Sequence, residues 1–445
     1  MKNKFQYIAS FLIVALLAGC RFRNDEYVDF SDIAAAKGLQ FKVISQHETD
    51  LTDGLPTNCY LPDGTPVSEY HDESESTPTP ARMPATTGTT AAGLLQSLFK
   101  YGNQNHVIEI VGTYPSIDHN FMPITLSGKV MLPRNGKPKR MILVSHYTVC
   151  SNDEAPSNCF SLEGVLVKLG YGLIIPDYLG YGVTVDHVHP YLVMDATAIS
   201  VVDMYLAVKP WLDAVGKTPE QDGIILMGYS QGGATTMAVQ RAIELSNNAS
   251  SPEEDIKIHR VFAGGGPYDV KSTYERFVTT DTMGYPVAVP LVLQGMILGN
   301  NLSIKMDDLM QDRVYKNLDD WINSKRFTSA QINEFIGTKV THEVLTPTAM
   351  DQTSEQVAEL YKAMTLNSIL TYNWEPEAPV YMMHSMDDET VSYINATNAK
   401  SKWRNANITY NFGHYGSHVQ TCLRFIYSVQ ALLNEEEKEK NYYEN

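Results

Sequence analysis

The sequence predicts an α/β fold with a mainly parallel central sheet flanked by helices, and two observations carry that expectation. Short, nearly continuous apolar runs at residues 140–145 (RMILVS), 172–176 (GLIIP) and 223–228 (GIILMG) have the length and composition of strands buried on both faces. Between and after them lie segments of helical length at 162–169, 195–211 and 231–245, with Gly and Pro marking the changes.

The other elements follow in order. Residues 106–114 (HVIEIVGTY) and 125–132 (TLSGKVML) read as partly alternating early strands. Residues 258–263 (IHRVFA) and 379–383 (PVYMM) are further strand candidates, and 390–403 is a helix candidate. The interval 271–375 breaks the rhythm. It offers no convincing strand pair, helix-like segments at 307–323 and 329–336, and an uncharged apolar run, 287–298, containing Pro290. It is expected to be a helical cap insertion in a core made of 101–270 and 376–445.

The composition is ordinary for a globular protein, with 43% hydrophobic and 19% charged residues in a chain of 445. A net charge of -17 argues against a nucleic-acid partner, since phosphate binding needs a basic surface. At the N-terminus, Lys2 and Lys4 precede an apolar stretch, residues 7–18, too short to span a bilayer. It ends in Leu17-Ala18-Gly19-Cys20, which resembles the bacterial lipobox. That resemblance implies a signal peptide at 1–19, lipidation at Cys20, and a bacterial cell envelope protein touching the membrane through its lipid alone. An ordinary secretory signal or an uncleaved anchor is the alternative. Residues 20–100 are then tether and linker, and 68–93 is rich in Ser, Thr and Pro. In an oxidising compartment Cys59, Cys150, Cys159 and Cys422 allow three pairings, a small Cys150–Cys159 loop among them.

The run GIILMG leads straight into Tyr229-Ser230-Gln231-Gly232-Gly233 and a helix. Gly-x-Ser-x-Gly between strand and helix puts Ser230 on a sharp turn at the sheet's C-terminal edge, as a nucleophile requires. The helix N-terminus favours a developing oxyanion, and the Gln231 N–H is the first candidate donor. A nucleophilic serine needs a base, and the base a carboxylate. After PVYMM comes His384-Ser385-Met386-Asp387-Asp388-Glu389-Thr390-Val391. It resembles the hydrolase pattern His-Gly-x-x-Asp-x-x-Val, a register that selects Asp388, or Asp387 if the turn is one residue shorter. Two histidines remain downstream, His414 and His418, and the start of the final helix favours His418.

Other segments carry a family resemblance. Ser145-His146-Tyr147-Thr148 with Ala155-Pro156-Ser157, Pro176-Asp177-Tyr178-Leu179-Gly180-Tyr181-Gly182, and His189-Pro190-Tyr191-Leu192 resemble the secretory-lipase branch of the α/β-hydrolases. With GYSQGG, Asp388 and His418 the resemblance spans roughly residues 140–430. It implies an α/β-hydrolase fold, a carboxylic-ester substrate, no cofactor, and a second oxyanion donor at Thr148 or its neighbour Tyr147. A serine aminopeptidase-like enzyme and a non-catalytic surface-binding lipoprotein on the same scaffold are the alternatives. Two further motifs carry less. Asp186-His187-Val188-His189 lacks a third metal ligand nearby, so no metal is expected, and Gly264-Gly265-Gly266 lacks phosphate-loop spacing and reads as close packing behind the nucleophile.

Overall fold

The computed structural model describes residues 39–70, 91–248 and 255–444. Residues 1–19, expected to be a signal peptide, Cys20 and most of the Ser/Thr/Pro-rich stretch lie outside them. Nine strands form one mixed sheet: β1 (Lys42–Asp50), β2 (His106–Ile117), β3 (Pro123–Pro133), β4 (Met141–Ser145), β5 (Gly172–Pro176), β6 (Ile224–Tyr229), β7 (Ile258–Gly264), β8 (Val380–Ser385) and β9 (Ile408–Gly413). Their order is β1-β2-β3-β5-β4-β6-β7-β8-β9. Pairings from β1 to β5 are antiparallel, and those from β5 across to β9 are parallel.

Helices, the first of them α1 (Ala91–Ser97), cover both faces, which is why the central runs are apolar without alternation. On one face Leu143, Ile174 and Leu226 pack with Val201 and Trp211 of α2 (Met194–Ala214) and Met237 of α3 (Gln231–Asn247). On the other, Ile142, Val144, Ile225 and Met227 pack with Phe425 and Ile426 of the C-terminal helix (His418–Glu444). Neighbouring residues of one strand therefore serve separate cores, as a pleated strand dictates.

The strand order positions the site. From β4 the chain moves to β5 on one side, then returns to β6 on the other side of β4. The connections thus diverge between β4 and β6, leaving a crevice at the carboxyl ends of those two strands. The segments leaving them carry Thr148 and Ser230.

The interval between β7 and β8 is helical, with α4 (Val270–Thr279), α5 (Ala288–Gly299), α6 (Ser329–Ile336) and α7 (Glu355–Asn367) as its longer helices. Beyond it lie α8 (Ile394–Lys402) and α9, the C-terminal helix. Four details differ from expectation. Lys42–Asp50, expected within the tether, is an edge strand paired with β2. Its residues are exposed or half-buried throughout, so KVISQHETD carries no apolar period. The helix expected at 307–323 is broken into Met306–Leu309, Asp312–Tyr315 and Asp319–Asn323, because Met310 turns extended and bridges Leu345. The helix expected from 390 starts at Ile394, because Thr390 and Val391 donate to Asp388 instead. Cys59, Cys150, Cys159 and Cys422 are buried free thiols, and the Cys150–Cys159 loop is not closed. No described helix is long and apolar enough to cross a membrane.

Candidate active site

Strand β6 ends at Tyr229, α3 starts at Gln231, and Ser230 alone makes the turn with φ 57° and ψ -127°. Such a conformation costs a non-glycine residue on the order of 1–3 kcal/mol and persists only where its surroundings enforce it. Here the Ser230 N–H donates to Gly264 O at 2.9 Å, and its carbonyl accepts from Gly233 N at 2.8 Å. The turn also requires two glycines. A Cβ on Gly228 would lie 2.3 Å from Gly232 O, and one on Gly232 would lie 2.0 Å from Ser145 O. The Gly264 segment does pack behind this turn, since a Cβ on Gly233 would meet Gly264 O at 2.3 Å.

His418 opens α9, and the fold brings it to Ser230 with Asp388 behind it. His418 Nε2 lies 2.8 Å from Ser230 Oγ, and His418 Nδ1 lies 2.7 Å from Asp388 Oδ2. The other carboxylate oxygen, Oδ1, accepts the N–H groups of Thr390 at 3.0 Å and Val391 at 2.8 Å. All three side chains are buried, Ser230 at 6% exposure. Burial alone would push the Asp388 carboxyl up, but the charge and hydrogen bond of His418 bring it below its ordinary value. Burial alone would push the His418 imidazole down, but the charge and hydrogen bond of Asp388, aided by Glu389 and Asp63, raise it. An imidazole so held can take the proton of a serine hydroxyl and keep it. The alternatives Asp387 and His414 pair with each other at 2.8 Å on the exposed surface. His384 is fully buried, and its Nε2 donates to Val391 O at 2.9 Å, bracing the loop that carries Asp388.

Gln231 occupies the first position of α3, where a backbone N–H has no acceptor within the helix. Thr148 faces the same cavity as Ser230, whereas the Tyr147 hydroxyl donates to Tyr60 O. The cavity holds about 220 Å³. Its floor includes Ser230, His418 and Thr148, and its walls include Phe277 of α4, Tyr285, and Ala288 and Val292 of α5. Pro62 and Asp63 come from the N-terminal segment, and Glu389 from the loop after Asp388.

Sequence reasoning noted Ala288 and Val292 within the apolar run 287–298, and did not single out Phe277, Tyr285, Pro62 or Asp63. Nor did it give His189 and Tyr191 a role, although both contact residues of the site. The Gln231 side-chain amide lies 2.9 Å from His189 Nε2, and the Tyr191 hydroxyl 2.8 Å from Thr148 Oγ1. The only signal for them was their place in the His-Pro-Tyr-Leu segment. His187 is exposed, while both ring nitrogens of His189 are engaged, with Leu179 O and Gln231. Among the described residues no group of His, Cys, Asp and Glu is arranged to hold a metal ion.

Known proteins agree with this architecture. The esterase LipA of Xanthomonas oryzae, described as degrading rice cell walls, superimposes with a TM-score of 0.62 at 19% identity, covering 77% of this chain and 94% of its own. Lipase A of Candida antarctica superimposes with a TM-score of 0.51 at 17% identity, covering 70% of this chain and 73% of its own. These likenesses establish the α/β-hydrolase fold. A search of curated protein sequences finds no match. The sequence model of the secretory lipases matches residues 158–424, which include β6, α3, β8, β9 and the start of α9. The chain therefore belongs to the secretory lipase family, and its chemistry is ester hydrolysis.

Proposed function

We propose that the chain is a serine carboxylic-ester hydrolase with Ser230 as nucleophile, His418 as base and Asp388 as the acid that orients it. The observation that carries this reading is the continuous hydrogen-bonded line from Asp388 Oδ2 through His418 to Ser230 Oγ. His418 takes the hydroxyl proton as Ser230 Oγ attacks the ester carbonyl carbon, and the carbonyl oxygen becomes an oxyanion facing the Gln231 N–H and Thr148. The C–O bond to the alcohol then breaks, and the alcohol leaves with the proton from His418. Water, deprotonated by the same imidazole, hydrolyses the acyl-enzyme and restores Ser230. No step needs a cofactor.

Residues 271–375 act as a cap over this site, which is why Phe277, Tyr285 and Val292 line the cavity. The protein acts outside the cytoplasm, held to the membrane by lipid at Cys20. The family supports export, and the Leu-Ala-Gly-Cys sequence supports the lipid.

One observation favours an aminopeptidase-like reading as the alternative. Asp63 and Glu389 both line the cavity beside His418, and two carboxylates suit a substrate amine. Hydrolysis of p-nitrophenyl esters by the full chain in detergent, beside aminoacyl p-nitroanilides, separates the two. Ester turnover abolished by Ser230→Ala is expected. Turnover of the anilides alone would transfer the reading to the peptidase.

A further inference from the structure

His189 and Tyr191 stand two residues apart between β5 and α2, both buried, and each is bonded to a different residue of the proposed oxyanion site. The proton positions follow from their partners. His189 Nδ1 lies 2.7 Å from Leu179 O, and a carbonyl only accepts, so Nδ1 carries the hydrogen. Burial, then the charge of Lys325, pushes the ring down to about 3, so it is neutral at any working pH. Nε2 is therefore an acceptor and receives the N–H of the Gln231 side chain. Beside His189, with ring centroids 5.9 Å apart, a Tyr191 hydroxyl that donates to Thr148 Oγ1 leaves the Thr148 hydrogen free for the cavity that Ser230 also lines. The opposite order would spend that hydrogen on Tyr191.

The segment is built to hold still. Tyr191 N–H donates to His189 O at 2.8 Å, and Val193 N–H to Pro190 O at 3.0 Å. Leu192 is left at φ 59°, a conformation that only a fixed surrounding sustains. The His189 ring lies parallel to Tyr178, which stacks on His146 with centroids 3.9 Å apart. A Cβ on Gly295 of α5 would meet Tyr191 O at 2.3 Å, so the cap helix closes directly on this segment.

We propose that His189 and Tyr191 are positioning residues that together set the oxyanion hole, His189 by anchoring Gln231 at the head of α3 and Tyr191 by aiming the Thr148 hydroxyl at the developing charge. The inference rests on the serine-esterase reading. It adds that one rigid tripeptide spans both donor residues, so their spacing is fixed before substrate binds. Preorganisation of this kind acts on the transition state and leaves ground-state binding alone.

The experiment compares wild type, Tyr191→Phe, Thr148→Val and the double variant in the full chain, with p-nitrophenyl butyrate as substrate. A trifluoromethyl ketone, whose serine adduct carries the oxyanion, is the inhibitor. Tyr191→Phe removes one oxygen and is expected to lower kcat about tenfold or more, with KM within about twofold. Inhibitor affinity should fall by the same factor. Because Tyr191 acts through Thr148, the double variant should lose no more than Thr148→Val alone. His189→Leu should likewise lower kcat with little change in KM, and Gln231→Met removes the same bond from the helix side should His189→Leu not fold. Unchanged kcat in Tyr191→Phe, or losses that multiply in the double variant, would overturn the proposal while Ser230-dependent turnover persists. Absence of Ser230-dependent turnover in wild type would overturn the esterase reading, and this inference with it.

Discussion

Replacing Asp388 by Asn tests the proposed mechanism at one atom. In the native chain Oδ1 accepts two backbone N–H groups, from Thr390 and Val391, and Oδ2 faces His418 Nδ1 at 2.7 Å. An Asn amide must put its NH2 at one of these places. At the Oδ1 place it would confront two N–H donors that cannot move, so it turns towards His418. Nδ1 must then accept, the ring hydrogen shifts to Nε2, and Nε2 faces Ser230 Oγ with nothing to receive a proton. The expected loss in kcat is about a thousandfold to ten-thousandfold, or about 4–5.5 kcal/mol of transition-state stabilisation, with KM nearly unchanged. The pH profile should move as well. His418 must be neutral to act, so wild-type kcat/KM is expected to climb with pH through a midpoint above the ordinary histidine value of 6.5. Without the Asp388 charge burial dominates, and the midpoint of the residual activity should fall. Asp387→Asn, at the exposed Asp387–His414 pair, is the control and should change kcat less than about twofold. The assay is ester turnover across pH for both variants, with circular dichroism to confirm folding. A loss under tenfold in Asp388→Asn, or an equal loss in Asp387→Asn, would refute the assignment.

Two other expectations follow from the cavity and the core. A cavity of about 220 Å³ closed by Phe277, Tyr285 and Val292 suits short acyl groups, so the rate over p-nitrophenyl esters from acetate to palmitate should peak at the short end. Phe277→Ala should move that peak to longer chains, and an optimum at palmitate in wild type would contradict it. Glu163 is buried at 2% exposure, and burial holds its carboxyl up at about 7. A folded pKa raised above the unfolded value gives stability that is full below about 4.5 and is lost as pH rises through 7. Glu163→Gln should therefore match wild type near pH 4.5 and exceed it at pH 8 by on the order of 3 kcal/mol, read by urea unfolding at each pH. Equal pH dependence in both proteins would contradict it.

What was legible in the sequence is what local physics dictates. β4, β5 and β6 are buried on both faces, so MILVS, GLIIP and IILMGY announce themselves without any knowledge of the rest of the chain. The turn at Ser230 is likewise written locally, because Gly228 and Gly232 are needed where backbone meets backbone. The preference for Asp388 over Asp387 comes instead from the resemblance of His384–Val391 to the hydrolase pattern. β1 was not legible, because an edge strand with no buried face has no period to read. The break at Met310 was not legible either, because the bridge that causes it comes from Leu345, thirty-five residues on.

The substrate cavity illustrates the same divide at the level of function. On the side proposed to react it draws on Ser230 and His418, with Asp388 behind them, at strand ends and a helix start where chain order and turn chemistry constrain them. Its walls come from segments far apart in sequence that support one another. The Tyr285 hydroxyl lies 3.5 Å from Pro62 O, and Gly64, at φ +79°, sits where a Cβ would be 2.8 Å from Thr328 Cβ at the head of α6. The Tyr147 hydroxyl holds Tyr60 from the core side. The N-terminal segment is thus wedged between the hydrolase core and the inserted helices, and it brings Pro62 and Asp63 to the cavity from outside the region matched by the family. Reaction type is then a property this chain shares with its family, whereas the shape and charge of the pocket depend on a segment that the family pattern does not include. Selectivity should accordingly respond to changes at residues 60–64 that leave the hydrogen-bonded line at Ser230 intact.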